Sequence, residues 1–224
     1  MPEISIDGSG VIFRNPLPGH RVINVFYPFI HVMDDCELIC VVRIAGALYS
    51  PDGTLEIFRS SDSGEHWERQ GSFVDQSQDT VRYNYITGYI TPLSNGGLVM
   101  TVMRADQSVP DKLAYNPETQ GLLPLETCYL KSNDGGRTWS APSAVDIAEH
   151  FGSECTPAPY GGMVELENGE WFQAYETWKS YDDAGPFHLN AFGLISQDGG
   201  RTWAEKVTVA DGSEYARSYS HFSP

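Results

Sequence analysis

Acidic, basic and aromatic side chains in this sequence have the types needed to bind a polyhydroxylated ligand and to move protons around it. Carboxyl groups are the usual acids and bases where a glycosidic bond is broken, and arginine offers a planar fork of donors. The candidates for acid–base chemistry are Glu154, Glu176 and Asp106. The candidates for ligand binding are Arg43, Arg104, Arg82, Tyr27, Tyr85 and Lys179. The same set also fits an ordinary surface with many salt bridges, and the sequence leaves that alternative open.

A turn motif of the form S-x-D-x-G-x-x-W occurs three times and must help to position these residues. Its aspartate can accept backbone N–H bonds, its glycine permits positive φ, and its tryptophan supplies a large apolar side chain. An extended run precedes each copy, at Thr54–Arg59, Leu125–Lys131 and Leu189–Ile195. Each copy is therefore predicted to join two antiparallel strands, C and D, and to be structural. The motif residues are Ser60, Asp62, Gly64, Trp67, Ser132, Asp134, Gly136, Trp139, Ser196, Asp198, Gly200 and Trp203.

A second repeated turn precedes each copy of the motif and predicts two further strands, A and B. Asn95-Gly96 and Asn168-Gly169 are strong signals for two-residue hairpins, and Asp35-Cys36 stands at the equivalent place in the first unit. The predicted A and B strands are Val25–Val32 with Leu38–Val42, Tyr85–Leu93 with Leu98–Arg104, and Met163–Leu166 with Trp171–Trp178.

The spacing of the two turns indicates which end of each four-stranded unit carries function. From motif serine to the next A–B turn the intervals are 35 and 36 residues, whereas from A–B turn to motif serine they are 25, 37 and 28. The variable interval contains the B–C loop, and loops of variable length are the ones that usually build binding sites. Arg43, Arg104 and Glu176, at the ends of the B strands, are therefore predicted to lie opposite the motif aspartates.

The three motifs, the Val164–Gly169 run and the period of the units together resemble the sialidase (neuraminidase) superfamily, which carries the BNR or Asp-box repeat. The resemblance covers essentially the whole chain. It implies an all-β fold, a six-bladed β-propeller of four-stranded antiparallel blades. This sequence would supply the N-terminal half, about three blades and the start of a fourth.

The boundaries of the blades that the resemblance implies follow from the repeat period of the two turns. An N-terminal segment would supply an outer strand of the last blade at Val11–Arg14, and the missing half of the propeller would be a partner. The isolated chain is then expected to form an open arc and to self-associate through uncovered apolar faces. The divisions are 1–20 for the N-terminal segment, 21–77, 78–147 and 148–211 for three blades, and 212–224 for the start of the fourth.

The residues that the family uses for catalysis are matched only in part. Sialidases hold a substrate carboxylate with three arginines and use a tyrosine nucleophile activated by a glutamate, with an aspartate as acid/base. In register, Phe26 stands where the first arginine belongs and Glu176 where the second belongs, while Phe13–Pro16 matches in letters but not in register. Glu154 matches the glutamate in type, and the nucleophile and third arginine would lie beyond Pro224. The resemblance therefore implies divergent glycoside chemistry.

Composition restricts the partners and the compartment. The formal charge of −16, from 30 acidic and 14 basic residues, argues against nucleic acid or an anionic membrane as partner. No run is apolar and long enough to span a membrane, and the first residues lack the features of a secretory signal. A cytoplasmic protein is expected, or a secreted one if a leader was removed.

The four cysteines predict free thiols rather than disulfides or a metal site. Cys36 and Cys40 would lie about 13 Å apart along one strand, too far for a disulfide. Cys128 and Cys155 belong to no cluster with metal-ligand spacing. We therefore expect buried thiols in a reducing compartment, with no metal and no cofactor.

The predicted function is that of a sialidase-like glycoside hydrolase, exo-acting on a terminal sugar of a glycan, with a catalytic set that is incomplete in this chain. Two alternatives remain open: a non-catalytic propeller that binds glycans or serves as a scaffold, and a truncated product without activity of its own. Whether the chain is an enzyme is left undecided by the sequence. A carbohydrate or glycoconjugate is the expected partner.

Overall fold

The computed structural model describes residues 8–33, 37–74, 81–151, 155–186 and 189–210, and this part of the chain is built from β-strands. The strands form three antiparallel sheets. A search of the described residues finds no helix with the length and apolarity required to cross a membrane. The first sheet contains β1 (Asn24–Val32), β2 (Leu38–Ala45), β3 (Thr54–Ser60) and β4 (Glu68–Ser72); the second β5 (Tyr83–Pro92), β6 (Leu98–Asp106), β7 (Leu125–Ser132) and β8 (Ser143–Ala144); the third β9 (Cys155–Pro159), β10 (Val164–Glu165), β11 (Trp171–Lys179), β12 (Ala191–Ser196) and β13 (Ala204–Ala210).

The predicted pattern of strands A to D is observed in each sheet, with one departure in the third. There strand A is divided into β9 and β10, and both pair with β11. The sequence analysis predicted only the second piece, at Met163–Leu166, and the first piece contains Pro157 and Pro159, which lack the N–H groups that a central strand needs. In the described part of the chain β9 pairs only with β11, so its other side has no partner strand there. The missing N–H groups of the two prolines therefore cost no ladder hydrogen bond on that unpaired side.

Two apolar cores hold neighbouring sheets together. Between the first and second sheets, Val41 and Leu55 belong to one cluster with Met100. Gly88 lies at this contact, where an added Cβ would come within 2.9 Å of the Val41 side chain. Between the second and third sheets, Tyr129 packs with Trp171 in a second cluster. Burial of these side chains removes apolar surface from water, which is the main force that keeps the sheets in contact.

The N-terminal segment packs on the other face of the first sheet. Val11–Arg14 is not paired as a strand with the described sheets, and its expected role as an outer strand of the last blade stays a prediction. In the described part of the chain, Ile12 and Phe13 cover Cys40 and Phe58, and the two phenylalanine rings meet edge to face at 5.9 Å.

The three motif turns are stabilised by the same hydrogen bonds. In each, the serine Oγ bonds to the aspartate Oδ1 at 2.8–2.9 Å and accepts a bond from the glycine N–H at 2.8–2.9 Å. The aspartate in turn accepts the backbone N–H four residues later, at 2.9 Å in every copy. Since buried or half-buried polar groups cost free energy when unpaired, this network explains the residue types of the motif.

Cations also link successive sheets at these turns. Arg59 of β3 donates to the carbonyl oxygen of Gly135 in the second motif. Lys131, at the same place in β7, donates to the carbonyl oxygen of Gly199 in the third motif at 3.1 Å. The second and third motif turns therefore each accept a hydrogen bond from the preceding sheet, and these contacts support the structural role predicted for the motif.

The lowered pKa values of the motif aspartates lead us to expect a loss of stability in acid. Hydrogen bonds lower the pKa of Asp62 to about 2, and those from Thr138 and Thr202 lower the pKa values of Asp134 and Asp198 below their ordinary range. Because these pKa values are lower in the folded chain than in the unfolded chain, the stabilisation is present above about pH 4 and is lost as pH falls toward 2. We expect urea unfolding to show this decline, and Asp134→Asn to make it shallower. The exposed Asp182 supplies the control, since Asp182→Asn should leave the slope unchanged; equal slopes for both variants would contradict the assignment.

The described cysteines are free thiols. Cys40 and Cys128 are buried and Cys155 is half-buried, and none of the three forms a disulfide. Burial raises the pKa of both Cys40 and Cys128 to about 12. They therefore act as small apolar side chains in the core, while Cys36, like the rest of the first A–B turn, lies outside the described residues.

Candidate functional site

The pairing register fixes the end of each sheet at which the candidate residues lie. In the first sheet, Ser60 of the motif pairs with Leu38 at the beginning of β2, whereas Arg43 lies near the other end of that strand. Glu176 occupies the matching position in the third sheet, and Arg104 lies one residue beyond the matching position in the second. The predicted placement opposite the motif turns is confirmed. We call the end with the turns the motif end, and the end with Arg43, Arg104 and Glu176 the loop end.

The first strand of every sheet is irregular near the loop end. Register shifts occur between Phe26 and Phe29 in β1 and between Tyr85 and Thr87 in β5, and in the third sheet β9 and β10 are separated. Such bulges re-aim side chains and are common beside functional sites. Tyr27 lies in the first bulge with a φ of 51°. A left-handed conformation costs a non-glycine residue about 1–3 kcal/mol, so the surrounding contacts must hold it there.

Aromatic side chains from the first and third sheets meet at the loop end and enclose part of the second. They are half-buried and pack around the buried Ile86, Met103 and Ala158. A half-buried ring can offer its apolar face to the C–H groups of a sugar while its polar tip bonds to a hydroxyl. We call the following residues the aromatic cluster: Tyr27, Tyr49, Tyr160, Trp178 and Tyr181.

Tyr27 and Tyr49 form the part of this cluster nearest the first sheet. Burial, and then the neighbouring Tyr49, raises the pKa of Tyr27 to about 12. The two hydroxyl groups share a hydrogen bond. The ring of Tyr49 also stacks on Tyr115, with the centroids 5.0 Å apart and the planes 23° from parallel. The phenol groups are therefore neutral hydrogen-bonding groups at physiological pH.

Glu176 is fully buried beside the aromatic cluster, with 0% of its surface exposed. Trp178 donates its indole N–H to Glu176 Oε2 at 3.2 Å. After burial, the negative charge of Glu176 is the next cause that raises the pKa of Tyr160, and it also raises the pKa of Tyr89. The carboxylate therefore lies close enough to both phenols to interact with them electrostatically.

Arg43 is fully buried and its guanidinium joins the first and second sheets. Nη1 donates to Asn84 Oδ1 at 2.9 Å and to the carbonyl oxygen of Tyr85 at 2.5 Å, and Nη2 donates to the carbonyl oxygen of Ser50 at 2.9 Å. Burial lowers the pKa of Arg43 to about 10, an effect that the charge of Asp52 partly offsets. The structure therefore uses this predicted ligand-binding residue as a buried link between sheets.

Arg104 is held by partners from its own sheet. Its Nε and Nη2 atoms lie 2.9 and 2.7 Å from Glu126 Oε2. Nη1 donates to the hydroxyl of Tyr85 at 3.3 Å, and the guanidinium lies 3.5 Å from the centroid of the Tyr83 ring. Tyr85, also predicted to bind ligand, is almost fully buried, so its hydroxyl serves this contact.

Lys179 connects two loops at the wall of the site. Its ammonium donates to the carbonyl oxygens of Thr119 and Gly185, at 2.7 and 2.5 Å. The same loops meet where Leu122 donates its N–H to the carbonyl oxygen of Lys179 at 3.0 Å. Asn116 adds a further bond from its side chain to the carbonyl oxygen of Tyr181 at 2.9 Å. The long loop after β6 is thus fastened to the third sheet beside the aromatic cluster.

The remaining predicted residues are less closely gathered. Asp106 is exposed at the end of β6, and its Oδ1 accepts the backbone N–H of Ser108 at 2.8 Å. Arg82 is exposed just before β5, where its carbonyl oxygen accepts the N–H of Gln107. Glu154 lies outside the described residues. Of the two candidate acids in the described part of the chain, Glu176 lies against the aromatic cluster and Asp106 does not.

Among the residues that the structure describes, one group of potential metal ligands occurs, at the motif end. Asp62, Glu65 and His66 place one ligand atom each within 4.8 Å of the others, and all three are exposed. His66 Nδ1 already pairs with Asp62 Oδ2 at 2.7 Å, so the hydrogen bonds of the turn account for the grouping. The predicted absence of a metal and of a cofactor remains a prediction.

Sequence reasoning missed several members of the site. Tyr49, Tyr160 and Trp178 were not among the candidates, although the spacing of the strands could have indicated Tyr160, which directly follows β9. Tyr49 lies in a loop whose path the sequence did not predict. Side chains brought together by three sheets leave no local pattern, so only the fold reveals them.

Solved structures of similar fold include enzymes that act on glycans. A Hadza microbial sialidase has 17% identity and a TM-score of 0.60, with 81% of this chain and 38% of that chain covered. A protein of unknown function from Dyadobacter fermentans has 20% identity and a TM-score of 0.64, with 87% and 56% covered. An α-L-arabinofuranosidase from Fusarium graminearum has 13% identity and a TM-score of 0.53, with 84% and 51% covered.

This likeness shows the fold, an all-β sialidase-like propeller of antiparallel four-stranded sheets. The chain spans between 38% and 56% of the length of these three structures. A scan against protein-family models gave no match, and a search of curated protein sequences gave none. Activity must therefore be inferred from the residues at the loop end.

Proposed function

We propose that this chain forms part of the site of a glycoside hydrolase of sialidase-like propeller fold, which acts on a terminal sugar of a glycan. The observation that carries the proposal is the meeting of the aromatic cluster and the Glu176 carboxylate at the loop end. Half-buried rings with polar tips and one carboxylate are a combination suited to a polyhydroxylated ligand. The fold likeness to a sialidase and an arabinofuranosidase supports the same class of function.

In this proposal Glu176 is one carboxyl group of the acid–base chemistry and the tyrosines position the sugar. Cleavage of a glycosidic bond needs a proton for the departing oxygen and a carboxylate or water to attack the anomeric carbon. The indole N–H of Trp178 fixes the orientation of the Glu176 carboxylate by its bond to Oε2. Tyr27 and Tyr160, both members of the aromatic cluster, provide neutral hydroxyls.

A non-catalytic glycan-binding propeller is the second candidate, and one observation favours it. Glu176 is completely buried, whereas a carboxyl group that transfers a proton must reach the reacting oxygen to hydrogen-bonding distance. A carboxylate that only stabilises the fold of the site would show the same burial. Binding without hydrolysis would then depend on the aromatic cluster alone.

The experiment separates binding from hydrolysis in one pair of variants. Hydrolysis of a panel of 4-nitrophenyl glycosides would be measured together with binding of the matching methyl glycosides by saturation-transfer NMR. We expect Glu176→Gln to lower the rate of hydrolysis by about 100-fold or more, as loss of an acid–base group does, while binding weakens by less than about threefold. The control is Glu167→Gln, an exposed residue in the turn between β10 and β11 at the motif end, which should change neither quantity.

Each other outcome has a defined meaning. Unchanged hydrolysis in Glu176→Gln would remove Glu176 from the chemistry. Binding without hydrolysis in the unaltered protein would replace the hydrolase with the glycan-binding propeller. Failure of every methyl glycoside to bind would overturn both candidate functions.

A further inference from the structure

Three cations that lie at the loop ends of β2, β6 and β11, namely Arg43, Arg104 and Lys179, are already bound by other groups of the protein. The guanidinium of Arg43 is buried and donates to Asn84, to Tyr85 and to Ser50. Gly53 lies directly against it, since an added Cβ there would be 2.5 Å from Nη2 and closer still to Nη1 and Cζ. This arginine therefore cannot turn toward a ligand without breaking three buried hydrogen bonds and moving the loop.

Arg104 and Lys179 are engaged in the same way by different partners. Both ends of the Arg104 guanidinium are used, by Glu126 and by Tyr85, and its flat face covers Tyr83. The Lys179 ammonium has two carbonyl partners and is almost fully buried. The planar fork of Arg104 is therefore not free to bind a carboxylate, and the Lys179 ammonium is already bound to two carbonyl oxygens.

The other charges near this end are mainly negative. Two cations of the second sheet stand at the rim: Arg82 is exposed, and Lys112, half-buried, lies 3.8 Å from the centroid of the Tyr181 ring. Exposed carboxylates accompany these two cations. Asp106 pairs in register with Tyr83, the residue after Arg82. Asp111 directly precedes Lys112, and Asp182 directly follows Tyr181. The exposed acids therefore outnumber the exposed cations among these residues, in keeping with the net charge of −16.

We propose that the site selects neutral sugars and discriminates against sugars that carry a carboxylate. This inference rests on the proposed function and adds the class of substrate. A carboxylate entering the aromatic cluster would give up part of its hydration. Arg43, Arg104 and Lys179 are bound within the fold and cannot replace that hydration, and Lys112, which lies against the ring of Tyr181, has Asp111 beside it in the chain. Phenol and indole groups, by contrast, suit uncharged hydroxyl groups and C–H faces.

The test uses sugars that differ only in a carboxylate. The methyl glycosides of galactose and galacturonic acid form one matched pair, and those of glucose and glucuronic acid form a second. N-acetylneuraminic acid, as its methyl glycoside, serves as the acidic probe for which three arginines would be needed. Affinities of the unaltered protein would be measured by saturation-transfer NMR at physiological salt. We expect the neutral member of a bound pair to bind at least about tenfold more tightly than the acidic member.

A variant tests whether engagement of the cations is the cause. Glu126→Gln removes the charge that holds Arg104 and keeps the shape of the side chain, so it should raise the affinity for the acidic member several-fold relative to the neutral member. The control is again Glu167→Gln, which lies at the motif end and should leave that ratio unchanged.

Three results are distinguishable. Preference for neutral sugars that Glu126→Gln reduces would support the inference. An acidic sugar that binds as tightly as its neutral partner, or a ratio unmoved by Glu126→Gln, would overturn it while leaving glycan binding established. If no sugar of either kind binds, the proposed function fails and this inference fails with it.

Discussion

Replacement of Trp203 by alanine is expected to lower the free energy of unfolding by about 3–5 kcal/mol, as loss of a large buried aromatic side chain does. Trp203 is 4% exposed and belongs to the core between the second and third sheets. Its ring stacks on Tyr129 of the second sheet, with the centroids 5.6 Å apart and the planes 22° from parallel. Alanine would remove this contact and leave a cavity between two sheets that cannot move together freely. Equilibrium unfolding in urea would measure the loss.

The other motif tryptophans supply graded comparisons. Trp139 and Trp67 are only half-buried, and each donates its indole N–H to a glycine carbonyl of its own turn, at 3.1 and 3.0 Å. We expect Trp139→Ala and Trp67→Ala to cost less than Trp203→Ala, and none of the three to change glycan affinity of the folded protein. Trp203→Phe keeps a ring in the core and should cost less than Trp203→Ala. Loss of binding without loss of stability in any of these variants would contradict a structural role.

Strands and turns could be predicted because their signals are local. Asn95-Gly96 and Asn168-Gly169 form the predicted tight turns, with both glycines at a φ of 83°. The motif turns show why serine, aspartate and glycine recur, since all three take part in one network of hydrogen bonds. Register then followed from the turns, because the residue paired with the motif serine determines which end of the strand is left for the site.

The roles of charged residues could not be predicted in the same way. Arg43 and Lys179 stand at strand ends that reach the loop end, but the sequence does not show that backbone carbonyls from distant loops already bind them. The same holds for Tyr160, which lies near Glu176, and for Tyr49, which joins the aromatic cluster, because both depend on sheets that pack side by side. Position along a strand is a local property, whereas availability for a ligand depends on the partners that folding brings.

Each sheet has its structural turns at the motif end and its part of the candidate site at the loop end. At the motif end, hydrogen bonds such as that from Lys131 to the carbonyl oxygen of Gly199 join neighbouring sheets through turns of constant length. At the loop end, Arg43 and the loop fastened by Lys179 fulfil the same joining role. Arg43, Arg104 and Lys179 therefore serve the fold, and the proposed function assigns the chemistry to carboxyl and phenol groups.

Replacement of Gly53 by alanine tests this joining role at its tightest point. A methyl group at this buried position would overlap the Arg43 guanidinium, lying 2.5 Å from Nη2 and nearer to Nη1 and Cζ. Overpacking costs about 1–3 kcal/mol, and displacement of Arg43 would also break buried hydrogen bonds to Tyr85 and Ser50, each worth about 0.5–1.5 kcal/mol. We therefore expect a loss of about 2–4 kcal/mol on urea unfolding. The control is Gly8→Ala, where nothing lies within 4 Å of the added methyl group.

A double-mutant cycle with Arg43→Met distinguishes this cause from a general effect of the loop. Methionine is flexible and lacks the guanidinium, so it leaves room for the methyl group that Gly53→Ala introduces. Gly53→Ala should then cost little in the Arg43→Met background, and the two substitutions should show a coupling energy of about 1–3 kcal/mol. The cost of Arg43→Met alone is set by two opposing effects, the burial of the guanidinium and the hydrogen bonds that it makes. The coupling energy does not depend on that cost, because it compares Gly53→Ala in the two backgrounds. Equal costs of Gly53→Ala in both backgrounds would show that Arg43 is not fixed against this glycine. The hydrogen bonds to Asn84, Tyr85 and Ser50 would then be the remaining contacts that keep Arg43 from a ligand.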